Sequence, residues 1–481
     1  MENHLYQSRN LAKFFSPKSI AIVGASSDFT KLSGKTFKFL LKYGYKGKIY
    51  PITPKYKQIA DLDCYPKITD VPGQIDLALI MLSAQDVKAV LEECTIKGVK
   101  FAVVASSGFG ETGAEGKQKE WELKEIAKKS GISILGPNCQ GIINLIDQIP
   151  LSWTSGLERD RLIKGNIGFV TQSGAYGGAI FNMAQEMGLG FSYWVNTGNE
   201  VDLNCLDIMD FLLDDVNTAI IASYVEGFRN PGKLVALAQR GISKEKPLII
   251  MKVGRSEQGQ KAALSHTGAL TGSDKAFEGL CYQYGIVRVY DLEELFDTML
   301  IFSRSKRPKG NRVGIITSSG GAGISVVDKC NDLGLRVPEL NPVARKRLSQ
   351  FIPPFGSTLN PIDITAQVTN RLLADGPERE TLKKCLKILI DDQEIDILII
   401  LMAMVDGQRA ERAAADIINI SNETEKPIVV IWLAGALAEG AYKILEKGGI
   451  PLFKSPERAV KAIKRMLTYQ EFLKREKGTK E

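Results

Sequence analysis

What most constrains this chain is that its middle and its end repeat each other. Laying the run from Ile167 on the run from Val313 brings Gly168, Thr171, Ser173, Gly174 and Gly177 onto Gly314, Thr317, Ser319, Gly320 and Gly323. Further on, Gly188-Leu189 meets Gly334-Leu335, Val225-Glu226-Gly227 meets Val405-Asp406-Gly407, and Lys246-Pro247 meets Lys426-Pro427. A few glycines can match by chance, but here the order of the strands agrees as well. Each copy opens with a short β-rich apolar run that passes through Ser-Gly into a helix start of small residues, which is the beginning of an α/β unit.

Ahead of the two copies, Ser19 to Val23, Ile49 to Ile52, Asp76 to Leu82, Phe101 to Ala105 and Ile132 to Leu135 read as buried parallel strands alternating with amphipathic helical stretches. Polar and Pro/Gly-bearing breaks fall at about Leu145 to Leu162 and at Ser303 to Asn311. The chain of 481 residues has room for about three domains of ~150 each. The expected fold class is therefore α/β: a Rossmann-like domain over 1–150, then two flavodoxin-like domains over 151–305 and 306–481.

Composition removes several classes of function. The longest apolar stretch, near Ile395 to Val405, is far short of the ~20 residues of a membrane helix, and the opening residues carry no signal-peptide core, so a cytoplasmic, membrane-free protein is expected. The seven cysteines show no close spacing of the metal or redox kind and read as reduced, mostly packed thiols; no metal site is expected. The net charge of +7 is spread along the chain and densest from Lys461 to Lys480, a solvated tail helix. That excess suits an anionic small molecule, whereas nucleic acid would need a focused patch with stacking aromatics.

Chemistry concentrates where strands run into Ser-Gly. At Ser173-Gly174 and at Ser319-Gly320 free amides and the positive end of a helix dipole, about half a charge, stand at the carboxyl edge of a sheet, a place that favours phosphate or carboxylate. One such turn alone is common in α/β proteins without any ligand; two in paired domains could face one anion. Histidine is scarce: His4 lies in the N-terminal segment, and His266 in the loop Lys261 to Leu270, after the strand Pro247 to Val253 and before a helix starting near Asp274. The second copy offers no histidine there and continues into Ala434-Gly435-Ala436 instead. A neutral imidazole attacks phosphorus if a carboxylate fixes its tautomer and stabilises the cation formed, and Glu226, at the end of the strand Ala219 to Val225, is the candidate partner.

The first domain opens with a strand and Gly24-Ala25-Ser26-Ser27, a nucleotide-type turn that lacks the full glycine fingerprint of NAD enzymes. Its second strand ends near Pro54 and Lys55, with lysines where an NAD enzyme would use an acid, so a phosphorylated ribose, as in CoA or NADP, fits better. Ser83, Ser106-Ser107-Gly108 and the loop Gly136 to Gly141, with Asn138 and Cys139, follow further strands at the same edge, either as tight turns or as ligand loops.

Taken together these residues resemble the superfamily of ADP-forming acetyl-CoA and succinyl-CoA synthetases, in particular its α subunits, over nearly the whole chain. The Ser-His-Thr-Gly-Ala loop at His266 combined with the Gly-Pro-Asn-Cys loop at Gly136 is specific, though either alone is weak. The resemblance implies that His266 is phosphorylated, that Glu226 steadies it, and that the Ser173-Gly174 and Ser319-Gly320 turns cradle it. It further implies a first domain that binds CoA, with Asn138 and Cys139 at the acyl and thiol end. ATP or ADP and Mg2+ would be held by an ATP-grasp β subunit, for which no residues follow the third unit, in an α2β2 heterotetramer. The same chemistry on succinate, a branched-chain acid or an aryl acid, and a CoA-binding regulatory protein without catalysis, stay open as alternatives. An NAD(P)-dependent dehydrogenase is disfavoured by the incomplete glycine fingerprint.

Overall fold

A computed structural model describes residues 9–267 and 272–478, the side chains of 264–267 and 477 excepted. It divides into two compact units, Met1–Leu292 and Glu293–Glu481.

The first unit holds two sheets. In chain order its opening elements are β1 (Ser19–Val23), α1 (Leu32–Lys42), β2 (Lys48–Ile52), β3 (Leu77–Ile80), α2 (Ala84–Lys97), β4 (Phe101–Val104), α3 (Ala114–Ser130) and β5 (Ser133–Leu135). All five strands are parallel, in the order β2-β1-β3-β4-β5. Every residue of β1, β3 and β4 is buried, which is why these runs are continuously apolar rather than alternating. A single parallel bridge between Ile52 and Tyr65, outside β2, is what remains of a further strand, so the order is the Rossmann-like one with its outer strand reduced to one residue.

After β5 the chain hands over to the second sheet through Gly136 to Gln140. Backbone bonds stitch this handover: Leu203 donates to Ile134, Val201 to Gly136 and Asn199 to Pro137, each at 2.9 Å. The second sheet then contains β6 (Gly141–Asn144), β7 (Ile149–Ser152), β8 (Lys164–Thr171), α4 (Gly174–Glu186), β9 (Phe191–Asn196), α5 (Cys205–Asp214), β10 (Ile220–Val225), α6 (Pro231–Ser243), β11 (Leu248–Lys252), α7 (Glu257–Thr267), α8 (Asp274–Tyr284) and β12 (Val287–Val289). Its order is β12-β11-β10-β8-β9-β6-β7, with the hairpin β6-β7 antiparallel at one edge. That hairpin begins ahead of the sequence break and runs into it. Strands of four residues, one of them carrying Pro150 at the sheet edge, leave too little pattern to be seen in the sequence.

The second unit is built around β13 (Val313–Thr317), α9 (Gly320–Asp332), β14 (Ile362–Asp363), β15 (Ile397–Ala403), β16 (Ile428–Leu433) and β17 (Leu452–Phe453), in the order β14-β13-β15-β16-β17. The five parallel strands of the second sheet run β9-β8-β10-β11-β12, so both copies share the flavodoxin-like order. The likeness extends to single bonds. Leu189 donates to Ala184 and Leu335 to Cys330, each after a glycine at φ 71° that ends its helix in the left-handed conformation. One correspondence shifts. Thr171 pairs with Tyr224, and Thr317 with Leu401, so the residue standing where Glu226 does is Ala403, not Asp406. Asp406 instead matches Glu226 only in the spacing to the later Lys-Pro pairs, because the second copy carries three more residues than the first between these strand ends and Lys246 or Lys426.

Among the described residues no helix is long and apolar enough to cross a membrane, and no group of three or more His, Cys, Asp or Glu side chains could hold a metal ion. Six of the seven free thiols are buried.

Candidate functional site

In an open sheet of order 2-1-3-4-5 the chain leaves the first and third strands in opposite directions, opening a crevice between their carboxyl ends. In the second sheet these strands are β8 and β10, which lead into Gln172-Ser173 and Glu226-Gly227. A cleft of about 500 Å³ lies here, and Ser107, Asn138, Cys139, Ser173, Gly174 and Glu226 all line it. Six of the candidate residues, drawn from loops of both sheets of the first unit, thus share one cavity.

The turn into α4 is held by its own side chains. Thr171 Oγ1 donates to the Ser173 carbonyl (2.9 Å), and Gly177 N donates to the same oxygen (3.1 Å). Gly177 is required for closeness: a Cβ there would stand 2.3 Å from Thr171 Cγ2. Ser173 occupies the N-cap position without capping through its side chain, which leaves the first amides of α4 available to a ligand at the cleft wall. Asn196 ties the turn to the Gly136–Gly141 loop. Its Oδ1 accepts from Gln140 N (2.6 Å), and its Nδ2 donates to the carbonyls of Thr171 and Gln172 (3.0 Å each).

Cys139 is buried, its Sγ donating to the Val104 carbonyl at 3.4 Å, and burial pushes the thiol up to about 12. It packs the cleft floor as a neutral thiol. Asn138, at φ 55°, donates through Nδ2 to Asn199 Oδ1 (3.2 Å). Asn199 Nδ2 in turn reaches Glu111 Oε2 (2.6 Å) and Glu120 Oε1 (2.7 Å). Burial pushes Glu111 up, but the bonds from Asn199 and from the amides of Glu111, Gly108 and Phe109 outweigh it, and its carboxyl ends below the usual range.

Two acids face the cleft in different settings. Glu226 is half-buried, and its backbone amide donates to Gln172 Oε1 (2.6 Å). Glu200 is 4% exposed and sits at φ 58°, unusual for a side chain of its kind. Its Oε1 accepts from Thr197 Oγ1 and from Cys205 N, each at 2.8 Å. Burial raises its pKa, and the bonds from Cys205, Thr197 and Gln172, with the charge of Arg229, offset this only in part. Arg229, exposed, donates to the Asn199 carbonyl (2.7 Å).

His266 was expected in a loop, yet its backbone lies in the last turn of α7. The helix forms because Ser256 caps it, accepting from Gly259 N through Oγ (3.0 Å) and from Gln260 N through its carbonyl (2.8 Å), and because Glu257 in the first turn opposes the dipole. The imidazole of His266, like residues 268–271 and His4, lies outside the described residues.

The remaining candidates of the first unit lie at the carboxyl edge of the first sheet. Gly24, at φ 85°, lets the chain after β1 approach β3 so closely that a Cβ would stand 2.5 Å from the Met81 carbonyl oxygen. After Ala25, Ser26 Oγ accepts from Asp28 N (3.1 Å), and the Tyr56 hydroxyl, bonded to Ser27 and Ser26, falls below the usual phenol range. Pro54 and Lys55 form the turn after β2, where Lys55 N donates to Thr53 Oγ1 (3.3 Å). Ser83 is the N-cap residue of α2. Ser106 Oγ is buried without a hydrogen-bond partner, and Gly108 N donates to Glu111 Oε1 (2.6 Å).

In the second unit, Ser319-Gly320 repeats the first turn: Thr317 Oγ1 donates to the Ser319 carbonyl (2.9 Å) and Gly323 N to the same oxygen (3.0 Å). Its neighbour differs. Asn196 pairs in register with Thr171, and Asp363 pairs in register with Thr317, so the second turn has a carboxylate where the first has an amide. Asp363 Oδ2 would stand 2.9 Å from a Cβ on Gly320.

Comparison with known proteins agrees with this organisation. Family models described as a CoA binding domain, a succinyl-CoA ligase like flavodoxin domain and a ligase-CoA domain match residues 18–144, 164–302 and 313–464. The chain is 36% identical to "Acetate--CoA ligase [ADP-forming] II subunit alpha" of Pyrococcus furiosus, covering 92% of this chain and 94% of that one. The chain belongs to the family of ADP-forming acetate–CoA ligase alpha subunits. Members of this family are ligases named as subunits, so a partner subunit goes with them. This alpha subunit is also 36% identical to the acetate–CoA ligase (ADP-forming) of Methanocaldococcus jannaschii, covering 94% of its own length but 62% of that longer chain. In structure it matches a Candidatus Korarchaeum cryptofilum dinucleotide-forming acetyl-coenzyme A synthetase 1 in complex with phosphate and ADP, with a TM-score of 0.87, 33% identity, and 97% and 98% of the two chains covered.

Gln172, Asn199, Glu200 and Arg229 of this acetate–CoA ligase alpha subunit were not singled out from sequence. Gln172 stands inside the Thr-Gln-Ser-Gly turn, where the sequence gives its side chain no role of its own. The other three sit in loops whose neighbours are set by tertiary structure.

Proposed function

We propose that this chain is the alpha subunit of an ADP-forming acetate–CoA ligase that reversibly converts acyl-CoA, ADP and phosphate into free acid, CoA and ATP. In the first step phosphate attacks the acyl carbonyl, the C–S bond breaks, and CoA leaves as acyl phosphate forms. The imidazole of His266 then attacks phosphorus, the P–O bond to the acyl group breaks, and the carboxylate departs. Phosphohistidine finally passes the group to ADP and the imidazole is restored. Glu226 stabilises the imidazolium character that the ring acquires, and the Ser173-Gly174 and Ser319-Gly320 turns donate amides to phosphoryl oxygens.

The observation that carries this reading is the shared cleft, which joins Glu226 and the Ser173-Gly174 turn to the Asn138-Cys139 loop. CoA would lie along the first sheet. Gly24 to Ser27, Pro54, Lys55, Ser83 and Ser106 to Gly108 offer hydroxyls, amides and a lysine suited to its phosphates, and the unpartnered Ser106 Oγ is a group a ligand can satisfy. Asn138 and Cys139 would border the acyl and thiol end. ADP or ATP with Mg2+ would be held by an ATP-grasp β subunit in a cytoplasmic α2β2 assembly, consistent with a longer single-chain relative of which this chain spans 62%. Acetate is the preferred reading of the acid.

Incubating the full chain with radiolabelled acetyl phosphate should give an acid-labile, base-stable label. A label that survives His266→Asn would overturn the mechanism. With the β subunit present, CoA-dependent nucleotide turnover across a panel of carboxylic acids identifies the substrate.

A further inference from the structure

We infer that Gln172 is a positioning residue that sets the aim of Glu226, and through it the rate at which the histidine is phosphorylated. The inference rests on the reading of Glu226 as the partner of His266. Ladder pairing of β8 with β10 ends at Thr171 and Tyr224, and Gln172 N then donates to the Tyr224 carbonyl at 3.2 Å. Beyond that point the side chain of Gln172 takes over the work of a strand. Its Oε1 accepts from Glu226 N (2.6 Å) and Gly227 N (3.2 Å), and its Nε2 donates to the Gly227 carbonyl (2.9 Å). Three bonds from one planar amide to two consecutive residues hold the backbone from which the Glu226 carboxylate projects.

Only an amide of this length fits the task. Glutamate has no donor for the Gly227 carbonyl, and asparagine is one methylene shorter. The second copy provides a comparison. Its counterpart, Ser318, holds the backbone of Ala403, with Ala403 N donating to Ser318 Oγ (2.9 Å) and the hydroxyl lying 3.3 Å from the Ala403 carbonyl. Both copies therefore brace the carboxyl end of the third strand, at its last residue or just beyond it, from the residue after the first. In the copy that carries Glu226, the brace is the larger group and spans two residues. Gln172 Nε2 also lies 3.8 Å from Cys205 Sγ, and its amide is among the groups bonded to the buried Glu200, so its far side is fixed as well. An acid at this position would face the carboxyl of Glu200.

The test compares the wild-type chain, Gln172→Met, Glu226→Gln and the double variant, by single-turnover labelling with radiolabelled acetyl phosphate. A shift of Glu226 by about an ångström should slow labelling of Gln172→Met on the order of a hundred-fold. Half-saturation by acetyl phosphate should stay unchanged. Because Gln172 acts through Glu226, the double variant should be no slower than Glu226→Gln alone. Wild-type labelling in Gln172→Met, or a double variant slowed by the product of the two single effects, would overturn the inference. Wild-type labelling in Glu226→Gln would remove the underlying reading of Glu226 and the inference with it, a result distinguishable because it does not involve Gln172. Should Gln172→Met fail to fold, Gln172→Ser, the residue type of the second copy, should fold and still label slowly; full-rate labelling there refutes the assignment equally.

Discussion

Replacing Gly177 by alanine tests how the anion-binding turn is held in place. The new methyl would stand 2.3 Å from Thr171 Cγ2, 2.7 Å from Oγ1 and 3.0 Å from Cβ. Thr171 is fully buried and hydrogen-bonded to the Ser173 carbonyl, so it has no rotamer to retreat to. Overpacking of this kind costs about 1–3 kcal/mol, while alanine for glycine inside a helix returns at most ~1 kcal/mol. The expected net loss is about 1–2 kcal/mol. The repeat contains its own control, since the equivalent methyl in Gly323→Ala would stand 2.9 Å from Thr317 Cγ2 and 3.3 Å from Pro361 Cβ, where the two effects nearly cancel. A chain of this size does not melt as one unit, so the measurement is native-state amide exchange resolved by segment. Protection in α4 should fall by roughly 5- to 30-fold in Gly177→Ala, with α9 nearly unchanged in Gly323→Ala. Adding Thr171→Ser, which removes Cγ2, should restore part of the loss. Unchanged α4 protection, or a larger effect in α9 than in α4, would refute the packing argument.

Three further outcomes follow from the geometry. Glu200 keeps its proton to higher pH in the folded chain than in the unfolded one, so its contribution is fully present below the unfolded carboxylate range and is lost as pH rises through the raised value. Glu200→Gln should therefore gain exchange protection in α5 over wild type at pH 8 relative to pH 5, and a pH-independent difference would refute this. Lys233 and Asp207 form an ion pair with side chains 4% and 7% exposed, and burial pushes the lysine down to about 7, so Lys233→Met, which leaves the carboxylate the Asn204 amide but no cation in the pair, should cost about 1–3 kcal/mol by segment-resolved exchange in α5 and α6. Adding Asp207→Asn should recover a good part of it. Asp363→Asn makes the second turn match the first, and equilibrium dialysis should show tighter phosphate binding by the variant chain than by wild type.

The parts of the fold legible in the sequence are those fixed by local pattern. Continuous apolar runs announce the strands of the first sheet and β10 and β11 to within a residue or two, because these strands are largely buried, with β1 matched to the residue, whereas β9, β12, β14 and β17 are not announced. The repeat is legible because the strand, the Ser-Gly turn and the helix start recur with threonine and glycines at the same spacing. What sequence could not supply were side chains whose meaning depends on a distant neighbour. Asn199 matters because Asn138, Glu111 and Glu120 converge on it, and Glu200 because Thr197 and the start of α5 enclose it. The helical backbone at His266 was missed because Gly254 and Gly259 suggest a loop, whereas Ser256 caps a run otherwise well suited to a helix.

The handover between the first two sheets bears on where a chain like this can be divided. Residues 199–203 donate backbone bonds to Ile134, Gly136 and Pro137, Asn144 Nδ2 donates to the Phe15 carbonyl, and Arg9 pairs with Asp202. Separating the CoA-binding part from the sheet that follows would leave buried main-chain groups without partners, a loss that no linker can make good. Between Leu292 and Glu293, by contrast, the fold already falls into two compact units. A gene split there should give two fragments that express as folded polypeptides, whereas one split between residues 144 and 164 should give fragments that are rescued only when produced together.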